Sequence, residues 1–395
     1  MKIVLAYTGG LDTTVAIPWL IERHRAEVVA VTLDVGQGRE LEHVRERALA
    51  AGASRAHVID ARDDFARRHI LPALQAGALY ERRYPLATAL TRPLIASALV
   101  EIAGIEGAGA VAHACHGKGN DQVRLDVSLG AIAPDLPVIA VAREWRLDRP
   151  GEIAYAAAHG LEVPASADSP YTTDTNLWGR SIEYGALEDG WREPPTEIYT
   201  LSREPEVCAG QPAAIEIEFA RGVPVAVNGV QMPLVELIDA VGTIAGDHGI
   251  GRIDMIESRV LGYKAREVYE APAAEVLHTA HRELEALVLP RDLGRLKQSL
   301  GDCYADLVYE GLWFTPTREA IDAFVAKTQE RVSGTVRLKL FRTDCRVTGR
   351  RSPHALVDPA LVAADRPGGF DAAGVAAFAK YWGLPAVTAR RTRPD

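Results

Sequence analysis

The most constraining feature of this chain lies near its N-terminus. An apolar strand pattern over residues 3–7 runs straight into Thr8-Gly9-Gly10-Leu11-Asp12-Thr13-Thr14, and a helical pattern follows over residues 15–25. Two glycines at a strand-to-helix junction let the backbone turn tightly and aim amide N–H groups at phosphate oxygens. The start of the helix adds its own preference for an anion. Thr8, Thr13 and Thr14 supply further hydroxyl donors. The spacing is not that of a Walker A loop, which needs a longer run ending in Gly-Lys-Ser/Thr. It suits the pyrophosphate portion of ATP, and so points to AMP transfer rather than a kinase. Asp12 would repel phosphate unless a cation intervened, which assigns it to direct or indirect contact with Mg²⁺. The plainer alternative is a carboxylate that satisfies amides in the first turn of the helix.

The next 150 residues repeat that alternation. Strand patterns cover residues 28–33, 57–59, 110–114 and 138–142, with helical patterns at 40–50 and 93–103. Strand and helix in turn predict an open parallel sheet with helices on both faces. Ligands of such sheets gather at the carboxyl ends of the strands, where the loops 8–14, 34–37 and 113–124 fall. At 395 residues the chain has room for two domains, and its character changes near residues 164–170. Beyond that point 214–219 and 223–227, followed by Asn228-Gly229, predict a hairpin in an α+β domain. Residues 233–245 and 273–288 are predicted helices, and 335–340 with 345–347 a strand pair turning around Thr343-Asp344. After Asp371, Val375, Phe378, Ala379 and Trp382 recur at helical spacing.

Several function classes are disfavoured. A net charge of −9 gives no basis for a nucleic-acid surface. No stretch approaches ~18 uninterrupted apolar residues, so no membrane span is expected. The N-terminal apolar run is too short for a signal peptide. Cys115, Cys208, Cys303 and Cys345 form no CxxC pair, which suits reduced thiols in a cytoplasmic protein. His278 and His281, three apart in a predicted helix, read as a polar helix face rather than a zinc site.

A second polar, glycine-rich run follows the predicted strand at 110–114: His113-Ala114-Cys115-His116-Gly117-Lys118-Gly119-Asn120-Asp121-Gln122-Val123-Arg124. Gly117 and Gly119 permit close backbone approach. Lys118 and Arg124 can meet anionic oxygens, Asn120 can donate and accept, and Asp121 can hold an ammonium group. Two such loops at one sheet edge support one another.

With these residues in place the chain resembles the argininosuccinate synthase family of pyrophosphate-loop ATP enzymes. The resemblance rests on residues 6–14 and 117–124 and continues in order along the chain. It includes Ala78-Leu79-Tyr80-Glu81-Arg82-Arg83-Tyr84, Gly249-Ile250-Gly251-Arg252-Ile253-Asp254, Val268-Tyr269-Glu270 and Lys327-Thr328-Gln329-Glu330-Arg331-Val332. It implies a nucleotide-binding domain of the adenine nucleotide α-hydrolase type at 1–165, a synthetase domain at 166–365 and a C-terminal oligomerisation arm at 366–395. The implied reaction joins citrulline to aspartate through citrullyl-AMP, releasing AMP and pyrophosphate, in a cytoplasmic homotetramer. The implied ATP contacts are Ala6, Tyr7, Thr8, Gly9, Gly10, Leu11, Asp12, Thr13, Thr14, Leu33, His113, Gly117, Lys118 and Gly119. The implied amino-acid contacts are Tyr84, Thr88, Ala89, His116, Asn120, Asp121, Arg124, Thr172, Ser181, Glu257 and Tyr269. Asp12, Lys118 and Asp121 carry the chemistry in this reading, with Asp12 as the residue at Mg²⁺.

The chain departs from the family pattern at Thr8, Thr14, Ala87, Ala89, His116, Leu125-Asp126 and Ser258. Most of these positions surround the amino acids rather than the nucleotide. They leave open a second reading, a specialised relative that adenylates a related ureido or carboxylate acceptor and joins it to aspartate or another amine.

Overall fold

In the computed structural model, which describes every residue except 39–40, 116, 118, 146, 163–168, 363–370 and 394–395, the first strand is β1 (Lys2–Ala6). Its side chains alternate between two cores. Ile3 and Leu5 share one with Ile17 and Leu20 of the helix Leu11–His24. Val4 shares the other with Leu94 and Leu99 of the helix Ala87–Glu106. A strand buried on both faces belongs in a parallel sheet covered by helices on both sides. That is the arrangement found, with β2 (Glu27–Asp34), β3 (Arg55–Asp60), β4 (Ala110–His113) and β5 (Val138–Ala140). The order is β3-β2-β1-β4-β5 and every pairing is parallel. The chain first builds to one side of β1 and then crosses to the other. The loops after β1 and β4 therefore flank the switch point, where such sheets open a crevice for a ligand.

Two expectations shift here. Residues 138–142 were expected as strand, but β5 stops at Ala140 and Val141–Trp145 is helical. A short apolar run has no periodicity that separates a buried strand from a buried helical turn. The helix expected at 93–103 extends over Ala87–Glu106 with Pro93 inside it. Among the described residues it is the one helix long and apolar enough to cross a membrane, and 56% of its apolar window is buried inside the protein. Its length and apolarity follow from covering the sheet. The residue before it, Leu86, is fully buried at φ +65, a left-handed conformation unusual for a branched side chain.

The rest of the chain adds two antiparallel sheets. The first strands are β6 (Thr172–Asn176), β7 (Gly179–Glu183), β8 (Ala213–Ala220), β9 (Val223–Val227) and β10 (Val230–Gln231). Next come β11 (Arg252–Ser258), β12 (Lys264–Glu270), β13 (Gly334–Phe341) and β14 (Asp344–Arg351). They assemble as β10-β9-β8-β13-β14 and β11-β12-β7-β6. Three two-residue turns close hairpins in the five-stranded sheet: Arg221-Gly222, Asn228-Gly229 and Arg342-Thr343, each with both residues at positive φ. This is the turn whose twist matches the strands it joins. The last turn lies one residue earlier than expected, because Asp344 already pairs with Phe341 as the first residue of β14.

His278 and His281 lie inside the helix Pro272–Val288 and are both buried. His281 Nε2 is 2.8 Å from Gln329 Oε1, and burial holds His278 down to about 3. Among the described residues no group of three or more His, Cys, Asp or Glu is placed to hold a metal ion. The four cysteines are free thiols.

Residues Met1–His354 form one compact unit and Ala355–Asp395 another. The second contains the helices Ala372–Trp382 and Leu384–Arg391, with Val375, Phe378, Tyr381 and Trp382 exposed. The expected boundary at 164–170 falls largely outside the described residues.

Candidate active site

The loop after β1 is built by its own backbone. Gly9 takes φ +74, and a Cβ there would stand 3.1 Å from the Val44 side chain. Only glycine meets both demands cheaply. Arg47 Nη1 donates to the Gly9 carbonyl at 2.8 Å, tying the loop to the helix Leu41–Ala50. Gly10 caps the helix Leu11–His24 with no side-chain hydrogen bond to its first amides, which leaves them directed at the crevice for an anion. The three threonines behave differently from one another. Thr8 Oγ1 lies 3.2 Å from Thr13 Oγ1 and accepts from Gly10 N at 3.3 Å, so these hydroxyls shape the turn. Thr14 is fully buried and its hydroxyl pairs with Tyr7 OH at 3.1 Å. Ala6 ends β1 beside this loop, and Leu33 is the last residue but one of β2.

Asp12 stands in the first turn of the helix, facing Glu152 of the helix Arg149–Ala158. Burial and the Asp12 carboxylate push Glu152 up to about 8. Two carboxylates sharing one confined space carry negative charge that Arg149 offsets only in part, and that a proton or a divalent cation relieves.

On the other side of the switch point, His113 ends β4 fully enclosed. Burial opposes its protonation, but Asp126, at 3.0 Å from its Nε2, together with Cys115 outweighs that and raises it to about 9. Asp126 also pairs with Arg143 at 2.7 Å. His113 thus anchors the loop, in which the Gly117 carbonyl accepts from Gln122 Nε2. His116 and Lys118, both assigned from the sequence, lie outside the described residues.

The amino-acid residues meet because of β-sheet periodicity. Strand side chains alternate faces, and residues directly opposite each other share one. Thr172 pairs with Glu183, Asp174 with Ser181, Ser181 with Tyr269, and Ile253 with Tyr269. One face of this sheet therefore carries Thr172, Asp174, Ser181, Glu183, Glu257, Glu267 and Tyr269. Opposite them come the start of the helix Asn120–Ile132 and the segment 84–92. Between lies a narrow cleft lined by Tyr84, Thr88, Asn120, Asp121, Arg124, Ser181, Glu257 and Tyr269. These are eight of the eleven residues predicted for the amino acids. Ala89 is buried beside Thr88 in the helix Ala87–Glu106, while Thr172 sits at the exposed end of β6. A larger cavity of about 400 Å³, lined by Trp178, Arg203 and Asp239 among others, contains none of the predicted residues. The chemistry converges in the smaller one.

The cleft is a dense network. Asp121 Oδ2 accepts from Arg92 Nη2 at 2.7 Å and its Oδ1 from Arg124 Nη1 at 2.9 Å. Burial alone would raise Asp121, but the two guanidiniums hold it well below the usual carboxylate range. Arg92 also reaches Asp174, at 2.5 Å. Glu257, 1% exposed, accepts from Tyr269 OH at 2.5 Å and from Tyr309 OH. Tyr309 OH in turn accepts from Asn120 Nδ2 at 2.8 Å, and the Tyr309 carbonyl accepts from Arg124 Nε at 2.7 Å. Tyr84 stacks on Tyr269 at 3.9 Å and its hydroxyl accepts from Thr88 N. Thr88 Oγ1 lies 3.1 Å from Ser181 Oγ. Arg92 Nε, Arg259 Nε and Glu267 Oε2 are buried without a protein hydrogen-bond partner. Such atoms suit a site completed by a polar ligand or water.

Sequence reasoning missed Arg92, Asp174, Glu183, Arg259, Glu267 and Tyr309. Arg92 had a signal, the one charged residue in the stretch Ala87-Thr88-Ala89-Leu90-Thr91-Arg92-Pro93-Leu94. Tyr309, at the end of the helix Arg291–Tyr309, had none.

A parallel sheet with a pyrophosphate-sized loop at its switch point, joined to an ionic amino-acid cleft, defines an ATP-using enzyme of amino-acid chemistry. The comparisons with known proteins make that specific. Residues 2–162 match the model of the arginosuccinate synthase N-terminal HUP domain, and 171–389 that of the C-terminal domain. Argininosuccinate synthase of Rubrobacter xylanophilus is 52% identical over 394 residues, covering 100% of this chain and 96% of the relative. Those of Oceanobacillus iheyensis and Dictyoglomus thermophilum are each 51% identical over 97% of this chain, covering 92% and 96% of the relative. The chain belongs to the argininosuccinate synthase family.

Proposed function

We propose that this chain is the ATP-dependent ligase that joins citrulline and aspartate into argininosuccinate, releasing AMP and pyrophosphate. The observation that carries this reading is the continuity of the two half-sites. The loop after β4, whose glycines are assigned to the nucleotide, runs directly into the helix Asn120–Ile132, whose start brings Asn120, Asp121 and Arg124 to the cleft. An acceptor seated in the cleft thus lies next to the crevice that takes ATP. The ureido oxygen attacks the α-phosphorus and pyrophosphate leaves. The aspartate amine then attacks the ureido carbon of citrullyl-AMP, and AMP departs. The cleft contributes chiefly orientation. Asn120, Arg124, Ser181, Glu257 and Tyr269 fix the acceptor; Asp121, pinned by two arginines, is a fixed anion beside the incoming amine.

Asp12 with Glu152 fits Mg²⁺, which commonly takes one or two carboxylates and completes its shell with phosphate oxygens and water. When bound, it neutralises charge on the departing pyrophosphate. Lys118 and His116 remain assigned to ATP and aspartate. The same reading includes a cytoplasmic homotetramer with the C-terminal helices exchanged between subunits, and domain limits at 1–165, 166–365 and 366–395. The convergence of Tyr84, Arg124, Ser181, Glu257 and Tyr269 on one cleft supports citrulline as the acceptor. The test is direct. Purified protein with ATP, Mg²⁺, citrulline and aspartate should form argininosuccinate and AMP in equal amounts. Turnover that is faster with another acceptor–amine pair would overturn the substrate assignment, and sedimentation velocity checks the tetramer.

A further inference from the structure

The attacking amine of the second substrate reaches the site as an ammonium group and must lose a proton before its lone pair can bond to carbon. Asp121 is poorly suited to take it. Both of its oxygens are held by guanidiniums, at 2.7 and 2.9 Å, and its carboxylate is correspondingly less basic. Glu257 is occupied by two tyrosine hydroxyls. Asp174 faces Arg92 from outside the lining of the cleft.

Glu183 differs from all three. It is the last residue of β7, two positions after Ser181, so both point from the same face into the cleft with Asn120, Asp121 and Arg124. Its Oε2 accepts from Arg259 Nη2 at 2.9 Å, while Oε1 has no hydrogen bond among the described residues. Arg259 is shared with Glu257 and Glu267, so one guanidinium serves three carboxylates. The strand breaks immediately afterwards. Tyr184 adopts φ +68 and ψ −164, a region almost reserved for glycine, and Gly185 follows at φ +61. A strained, non-glycine backbone next to a cleft side chain marks a position held by its surroundings.

We propose that Glu183 is the base that takes the proton from the attacking amine; this rests on the reading of the chain as an argininosuccinate-forming ligase. In the step, one ammonium proton passes to Glu183 Oε1. The freed lone pair forms the C–N bond, and the C–O bond to the adenylate breaks. The second amine proton leaves on the departing phosphate oxygen of AMP, and the guanidinium product keeps the last. The charged and titratable groups around Glu183 favour this role. Burial is the largest influence, Arg259 opposes it, and Asp121 and Glu257 reinforce it over Arg124; together they push Glu183 up to about 7. Tyr184, its neighbour in sequence, is itself raised to about 12. A base with a pKa near the working pH combines availability with proton affinity.

The experiment separates the two half-reactions. Citrulline-dependent ATP–pyrophosphate exchange without aspartate reports adenylation, and argininosuccinate formation reports the whole sequence. Glu183→Gln should retain exchange within a few-fold and lose net ligation by about 10²-fold or more. The rising limb of the ligation rate near pH 7 should also disappear, and Glu183→Asp should restore part of the rate. Net ligation by Glu183→Gln within a few-fold of wild type, with its pH limb intact, would overturn the proposal. Loss of both half-reactions in a variant with an unchanged melting temperature would overturn it too, because Glu183 would then be organising the acceptor. Wild-type protein that shows no citrulline-dependent exchange would instead defeat the underlying functional reading.

Discussion

The nucleotide loop and the amino-acid cleft solve opposite problems with opposite materials. The loop at 8–14 is short, local and made mostly of backbone, and its threonine hydroxyls bond to one another and to Tyr7. The cleft gathers side chains from two helices, a helix end and three strands, with hydrogen-bonded partners as far as 189 positions apart along the chain. Phosphates look alike in every nucleotide, so a general cradle of amides suffices. Two amino acids must be told from many others, and that requires fixed charges at fixed distances. Exchange among small hydroxyl residues in the loop should therefore cost little, whereas loss of any one partner in the cleft should cost more.

The sharpest way to break this comparison is through the one charged side chain of the loop. Asp12→Ala should lower AMP formation roughly 10²- to 10³-fold. Its melting temperature should stay within a degree or two, since Asp12 is a half-buried first-turn residue. Near-normal turnover across a Mg²⁺ titration would return Asp12 to the plainer role of satisfying helix amides.

Tyr309→Phe probes the cleft with a single oxygen. That hydroxyl donates to Glu257 and accepts from Asn120, and leaving a buried carboxylate short of a partner costs about 1–3 kcal/mol. The expected result is a roughly 10- to 100-fold fall in kcat/KM for citrulline, with the KM for ATP nearly unchanged. Equal effects on both substrates would mean that loop and cleft are not separable.

A smaller, pH-dependent effect belongs to the anchor of the second loop. Burial lowers His113, but Asp126 and Cys115 together hold it at about 9 in the folded protein, against an ordinary value of 6.5. Its contribution is therefore complete below pH 6.5 and is lost as pH rises through 9, at most about 3 kcal/mol. Thermal melts between pH 7 and 9.5 should fall more steeply for wild type than for His113→Gln. Parallel curves would show that the pair contributes little.

The smallest effect is expected from Thr14→Ser. The hydroxyl bonded to Tyr7 is retained and one buried methyl is lost, costing about 1 kcal/mol of stability. ATP affinity should move less than twofold by direct titration, because the side chain points into the core.

Much of the nucleotide half was legible in the residue order because it is local. The strand, the Gly9-Gly10 turn and the helix N-terminus are consecutive, and the β-α alternation implies the parallel sheet that places them. The errors there were ones of extent: Val141 and Ala142 turned out helical, and the helix around Pro93 began at Ala87. The cleft was legible only in part. Asn120, Asp121 and Arg124 stood out in the polar, glycine-rich run after β4, whereas Tyr84, Ser181, Glu257 and Tyr269 came from resemblance, not from any pattern of their own. Arg92, Glu183 and Tyr309 went unnoticed, since nothing in a lone tyrosine at a helix end announces a partner 52 positions away.

By itself, then, the sequence determined the short-range parts of this protein: a tight glycine turn, the helix behind it, the strands that alternate about it and the turns that close its hairpins. These follow from dihedral freedom and periodicity within a few residues. Tertiary structure decided which carboxylate is pinned and which is left basic. Asp121 and Glu183 are both acidic residues in polar surroundings when read along the chain. Two arginines close on the first, while the second shares a single arginine with two other carboxylates. Proton affinity depends on burial and on charges a few ångströms away, and only folding sets those distances.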